Sequence, residues 1–182
     1  MLPDWTNNID QSWTLFLDRD GVINVNQIND YVTHWEKFVF LDDVLAAIPL
    51  LNRHFARTII ITNQQGVAKE LMSAADLLDI HQKMMNTITH HGGRIDAIYA
   101  ATEWATDPSN RRKPKPDMAL EAQVAFPEID FQKSIMVGDY LSDMEFGQKL
   151  GMKCVLIDPN RDLNPISTVT IADSLWEFAN SL

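Results

Sequence analysis

Short apolar runs recur along the chain, separated by longer segments of helical period. Five of them, Trp13 to Leu17, Thr58 to Ile61, Ile95 to Ala100, Ser134 to Val137 and Cys154 to Ile157, show no polar alternation. Strands covered on both faces read this way, so the runs predict the strands of a buried parallel sheet. After Asp42 and Asp43, which suit a cap, Val44, Ile48, Leu51 and Phe55 recur at steps of four, three and four; Pro49 within that pattern predicts a kink or a shorter helix. A longer helix is predicted over Ser73 to His91. Ser73 caps it, Asp76 stands at the reciprocal capping position, Leu77, Ile80, Met84 and Ile88 mark one face, and Gly92 and Gly93 end it. Further helices are predicted over Pro116 to Phe126, over Ser142 to Leu150 with Gly151 as terminator, and from Ala172 to the C-terminus.

Five strands interleaved with helices imply right-handed crossovers and a doubly wound, Rossmann-like α/β fold with helices on both faces of a parallel sheet. No repeat or linker divides residues 1–182, so one domain is expected. Ligands of such sheets bind at the carboxyl ends of the strands, which makes the residues just after each run the ones to inspect.

Charge narrows the choice of ligand. Lys and Arg number 15 against 25 Asp and Glu, a net charge of −10, which argues against a general nucleic-acid binder or a protein drawn to an anionic membrane. A small anion held at one local site remains compatible. The single cysteine, Cys154, lies in a buried apolar run, cannot form an internal disulfide and fits a reducing compartment. The opening MLPDWTNNID has no signal-peptide character and no run approaches the ~20 residues of a membrane span, so a cytoplasmic location is expected.

Polar residues collect at the strand exits. Asp18-Arg19-Asp20-Gly21 follows the first run, Thr62-Asn63-Gln64-Gln65-Gly66 the second, and Gly138-Asp139-Tyr140-Leu141-Ser142-Asp143 the fourth. Taken singly, the first two suit solvated turns and the last an acid-tolerant helix start. Arg111-Arg112-Lys113-Pro114-Lys115-Pro116 is the dense basic cluster of the chain; Pro114 restricts Lys113 to an extended backbone, and Pro116 suits the first turn of the next helix. Carboxylates converging on one sheet edge would repel without a cation, and hard oxygen ligands with room for water suit Mg²⁺. Together with a hydroxyl and a lysine they describe a phosphate site.

These four segments, in this order, resemble the four motifs of the haloacid dehalogenase (HAD) superfamily of phosphohydrolases, from Leu15 to about Ile157. More narrowly, Phe16 to Asn24, Asp30-Tyr31-Val32, Thr62-Asn63-Gln64, Arg112-Lys113-Pro114 and Gly138-Asp139 resemble subfamily IIIA, the branch with the phosphatases of D-glycero-D-manno-heptose 1,7-bisphosphate and histidinol phosphate. The resemblance implies a Mg²⁺-dependent phosphomonoesterase of HAD-like fold working through an aspartyl-phosphate. In it Asp18 is nucleophile and metal ligand. Asp20 is general acid and then base, with its backbone carbonyl on the metal. Thr62 holds a phosphoryl oxygen, Lys113 neutralises charge, Asp139 completes the metal shell, and Asp143 orients Lys113 or a water on the metal. Arg112 matches a substrate-recognition arginine, and Tyr31, Asn63, Gln64 and Gln65 fall where the branch contacts the rest of its substrate.

Some features depart from the branch. Many members hold zinc through Cys and His before the basic motif, whereas Ala101 to Asn110 contains neither. Trp104 in that loop suits stacking on a substrate or, by preference, packing within the loop. Tyr140 stands where relatives often have lysine, and Val22 where many have threonine. Between Thr62 and Lys113 there is space for a helix, a strand and a loop but no large cap domain, so an open site roofed by loops such as Asn24 to Trp35 is expected. His81, His90 and His91 lack ligand spacing with an acid and are expected at the surface or at a helix end.

The substrate expected first is heptose 1,7-bisphosphate, with histidinol phosphate second; both are small phosphorylated metabolites. A nucleic-acid 3′-phosphatase is disfavoured by the charge of −10. A catalytically idle phosphate-binding protein is disfavoured by Asp20, which binding alone does not require.

Overall fold

The structure, a computed structural model, describes residues 4–27, 30–163 and 168–182. The chain forms a six-stranded sheet of order β3-β2-β1-β4-β5-β6, with every pairing parallel. The strands are β1 (Thr14–Leu17), β2 (Arg57–Asn63), β3 (Ala97–Ala101), β4 (Ser134–Gly138), β5 (Lys153–Ile157) and β6 (Thr170–Ala172). Alternate side chains of β1 part to opposite faces, as strand geometry requires. Leu15 and Leu17 join a core with α1 (Val44–Leu51), α2 (Ala74–His90) and α5 (Leu175–Asn180), while Phe16 packs on the other face beneath α3 (Asp117–Ala125) and α4 (Leu141–Lys149). The sheet is thus doubly wound. Among the described residues there is no separate cap domain, and no helix is long and apolar enough to cross a membrane.

Local chemistry sets the helix ends. Ser73 Oγ accepts from Asp76 N at 3.1 Å and Asp76 Oδ2 accepts from Ser73 N at 2.8 Å, the predicted reciprocal cap of α2. The cap expected for α1 does not form: Asp43 has φ 61° and its side chain makes no capping bond. That helix keeps Pro49 and stops at Leu51, short of Phe55, because Asn52 turns out to bond Thr58 Oγ1 and the backbone of Arg94.

Other boundaries also moved. Ala172 ends a sixth strand instead of opening a helix; three residues, Thr170-Ile171-Ala172, are too few to register as an apolar run. The last helix starts after Ser174, whose Oγ accepts from Glu177 N at 3.0 Å. At the third strand, Asp96 Oδ2 accepts from Thr58 N, so regular pairing begins at Ala97 and not at Ile95. Pro116 occupies the cap of α3, one position before the expected one. Trp104 is 47% exposed rather than packed within its loop. His90 and His91 stand exposed at the end of α2, but His81 is buried, contrary to expectation, with its Nε2 3.2 Å from the buried Arg19 Nη1.

Candidate active site

From β1 the chain winds outward through β2 and β3, then returns to the other side of β1 as β4. The carboxyl ends of β1 and β4 therefore flank the point where winding reverses, where a doubly wound sheet leaves a crevice. Leu17 is in register with Val137, and Asp18 N donates to Val137 O at 2.9 Å, so Asp18 and Asp139 emerge side by side. Two glycines make room for the acids. Gly21, at φ 81°, passes so close to the Asp139 carboxylate that a Cβ would collide with it, and a Cβ on Gly138 would overlap the Asp143 side chain. Oxygens of Asp18, Asp139 and Asp143 consequently lie within 4.8 Å of one another.

Lys113 enters this cluster from the loop before α3. Its ammonium stands 2.9 Å from Asp18 Oδ2 and 2.6 Å from Asp143 Oδ1, with the lysine side chain only 1% exposed. Asn63, at the end of β2, grips the lysine backbone: its Oδ1 accepts from Lys113 N at 2.9 Å and its Nδ2 donates to Lys113 O at 3.3 Å. Burial alone would lower the lysine pKa, but Asp143 and Asp18 outweigh it and hold the ammonium above its ordinary value.

One lysine does not balance three carboxylates. Burial pushes Asp18 up to about 8, against Lys113 and with the help of Asp143 and Asp139. Burial likewise raises Asp139 to about 6, opposed by a hydrogen bond from Asn26 and aided by Asp143. A divalent cation would remove the repulsion that helps raise both acids. The donor set, all carboxylate oxygen, fits Mg²⁺, with Asp18 and Asp139 as its ligands and Asp143 engaged with Lys113 and with Tyr140 N at 3.1 Å. The Asp20 side chain lies outside this group, which leaves its backbone carbonyl as its route to a metal.

Asp20 is instead bound on all sides. Oδ1 accepts from Arg19 Nη2 at 2.8 Å and Asn24 Nδ2 at 2.9 Å; Oδ2 accepts from Arg19 Nη2 at 2.9 Å and Gln64 Nε2 at 2.7 Å. Burial works to raise its pKa, yet the Arg19 charge and the bonds from Arg19, Asn24 and Gln64 win, and the group is held below its ordinary value.

A cavity of about 360 Å³ opens over these residues. Asp18, Arg19, Asp20, Asn63, Gln64, Lys113, Asp139 and Asp143 line it, together with Tyr31 and Arg112. Tyr31 Oη accepts from Lys69 Nζ at 2.9 Å. Arg112 is half-buried, and its Nη1 is enclosed with no hydrogen-bond partner among the described residues. Thr62 and Gln65 do not line the cavity. The Thr62 hydroxyl is fully buried and accepts from Gln64 Nε2 at 2.8 Å. Residues 28–29 of the roofing loop fall outside the described residues. Sequence alone did not mark Arg19, Asn24 or Asn26 for the site, and it placed His81 at the surface or a helix end. Arg19 lies past the end of β1, and its contacts to Asp20 and His81 become visible only in the fold.

A parallel sheet with an Asp-x-Asp exit from β1, a buried lysine and a β4 acid pair is the architecture of a HAD-like hydrolase, and the chain belongs to that family. The HAD-hydrolase-like family model matches residues 110–177. More narrowly, the chain groups with the heptose-bisphosphate phosphatases. It is 34% identical over 170 residues to the D-glycero-alpha-D-manno-heptose-1,7-bisphosphate 7-phosphatase of Mycobacterium tuberculosis, covering 92% of this chain and 90% of that one. The corresponding enzyme of Burkholderia mallei is 33% identical over 165 residues, 87% of this chain and 86% of its own. Among solved structures, the D,D-heptose 1,7-bisphosphate phosphatase of B. bronchiseptica, complexed with magnesium and phosphate, superposes with a TM-score of 0.84 at 27% identity, covering 93% of this chain and 97% of that one.

Proposed function

We propose that the chain is a Mg²⁺-dependent phosphatase that removes the 7-phosphate of D-glycero-D-manno-heptose 1,7-bisphosphate through a phosphorylated Asp18. The observation that carries this is the ion pair of buried Lys113 with Asp18, set beside Asp139 in a cavity lined in part by Arg112. Asp18 forms a bond to phosphorus as the bond to the sugar oxygen breaks, and Asp20 gives its proton to the departing alkoxide. Water then attacks phosphorus, Asp20 takes its proton, and the bond to Asp18 is released. Lys113 opposes the charge that develops on the transferring group. Mg²⁺, held by Asp18 and Asp139, would neutralise phosphoryl oxygens and carboxylates together.

In the free protein Asp20 stands as a carboxylate, and a phosphate arriving beside it works to raise its pKa toward the acid form. The unpartnered Arg112 Nη1 faces a group that a bisphosphate supplies and a monophosphate lacks, and supports the bisphosphate over histidinol phosphate. The test is a panel of kcat/KM values for the bisphosphate, its 1-phosphate, histidinol phosphate and generic sugar phosphates, with Mg²⁺ and with chelator. The bisphosphate should lead by at least about tenfold, the worth of one charge-assisted contact. Equal turnover across the panel would overturn the substrate, and undiminished turnover in chelator the metal.

A further inference from the structure

Arg19 sits between the two acids of the proposed mechanism in sequence and lines the cavity beside them. Its side chain is 1% exposed. Nη2 reaches both oxygens of Asp20, at 2.8 and 2.9 Å, and Nη1 stands 3.2 Å from Nε2 of His81, on α2 and 62 residues away. A guanidinium has donors only, so Nε2 must present its lone pair and the ring must carry its proton on Nδ1. Burial, reinforced by the charge of Arg19 and opposed by Asp20, lowers His81 to about 3 and keeps it neutral at working pH. Such a pairing is poor value as stabilisation alone, because a buried guanidinium gives up its hydration. What it supplies is direction: Nη2 spans both oxygens of the carboxyl, and Nη1, in the same rigid plane, is held by His81.

We propose that His81 is a positioning residue for proton transfer: by accepting from Arg19 Nη1 it locks the guanidinium fork that aims the Asp20 carboxyl at the leaving oxygen. Three donors already make four hydrogen bonds to the two Asp20 oxygens, with Asn24 and Gln64 completing the set, so the carboxyl turns only if one of its anchors moves. Of these anchors, Arg19 alone carries charge and alone touches both oxygens. His81 is the side chain that meets the other arm of its fork among the described residues.

The inference rests on the reading of Asp20 as proton donor, and the leaving group separates the two. A sugar alkoxide needs a proton as it departs, whereas 4-nitrophenolate does not, and kcat/KM covers only the steps through the first P–O cleavage. His81→Phe, close in volume but without an acceptor, should lower kcat/KM on the heptose bisphosphate by about 10- to 100-fold, part of the range of general acid catalysis, and leave 4-nitrophenyl phosphate nearly unchanged. His81→Gln, which returns a neutral acceptor near the Nε2 position, should recover most of the loss. Arg19→Lys keeps the charge without the fork and should repeat the selective loss, which preserves the test if His81→Phe does not fold. Asp20→Asn must show the same selectivity. If it does not, the reading of Asp20 fails; if it does while Arg19→Lys and the His81 variants slow both substrates equally or not at all, His81 has no positioning role.

Discussion

The two ends of the central strands carry acids in opposite circumstances. At the amino edge, Asp96 meets Arg57 at 3.2 Å and Arg94 at 3.1 Å, and Glu128 meets Arg57 at 2.9 Å, two carboxylates against two guanidinium groups. At the carboxyl edge, three carboxylates gather round one ammonium, and glycines at 21 and 138 are needed to let them approach. The balanced network ties β2 to its neighbours and leaves no chemistry undone. The unbalanced one is incomplete without a cation, and that imbalance, not the number of acids, marks the site. The excess of acid in the sequence, −10 overall, argues against polyanions in general and is locally reversed only where Lys113 and a metal can act.

Removing the lone ammonium should expose this contrast most strongly. Lys113→Met is expected to lower kcat by about 10²- to 10³-fold, the usual cost of deleting one group that stabilises transition-state charge. A loss below about tenfold in steady-state kinetics would mean the lysine only balances its neighbours.

A cation should matter next, and more at high pH. Asp18 and Asp139 have folded-state values raised to about 8 and about 6, so the metal-free folded chain binds more protons than the unfolded one and loses stability from these groups as pH rises from about 4 through those values. Magnesium at about 100 times its Kd contributes about 2.7 kcal/mol, or about 5–10 °C in Tm for a chain of this size. The Tm difference between Mg²⁺ and chelator should widen between about pH 5 and about pH 8, as thermal melts can show. A constant or shrinking difference would break the link between the acid cluster and the metal.

At the balanced edge the effects should be small. Glu128→Gln removes the half-exposed partner of Arg57 and should cost no more than about 1 kcal/mol, about 2–4 °C in Tm, with kcat unchanged. A change in kcat of the size predicted for Lys113→Met would erase the distinction between the two edges.

The convergence of the acids was more legible than the fold's margins. Asp18 and Asp139 closely follow apolar runs long enough to place β1 and β4, so their convergence could be read from strand exits, while Asp143 joins them from the first turn of α4. Strand β6 escaped because three residues carry no periodicity, and the end of α1 because it depends on Asn52 bonding to Thr58 and Arg94. The grip of Asn63 on Lys113 joins residues 50 apart, and Arg19 to His81 spans 62; such pairings need the fold before they can be seen. His81 also inverts a prior, since a histidine on a largely polar helix is expected in water until a buried arginine is found against it.

The most direct test of the account is the covalent state of Asp18 during turnover. Protein mixed with heptose 1,7-bisphosphate and Mg²⁺, acid-quenched within the first turnover and mapped by mass spectrometry, should carry one phosphoryl group on the peptide containing Asp18, and Asp18→Asn should carry none and release no phosphate. Phosphate release at the normal rate with no adduct at Asp18, or undiminished release by Asp18→Asn, would contradict it.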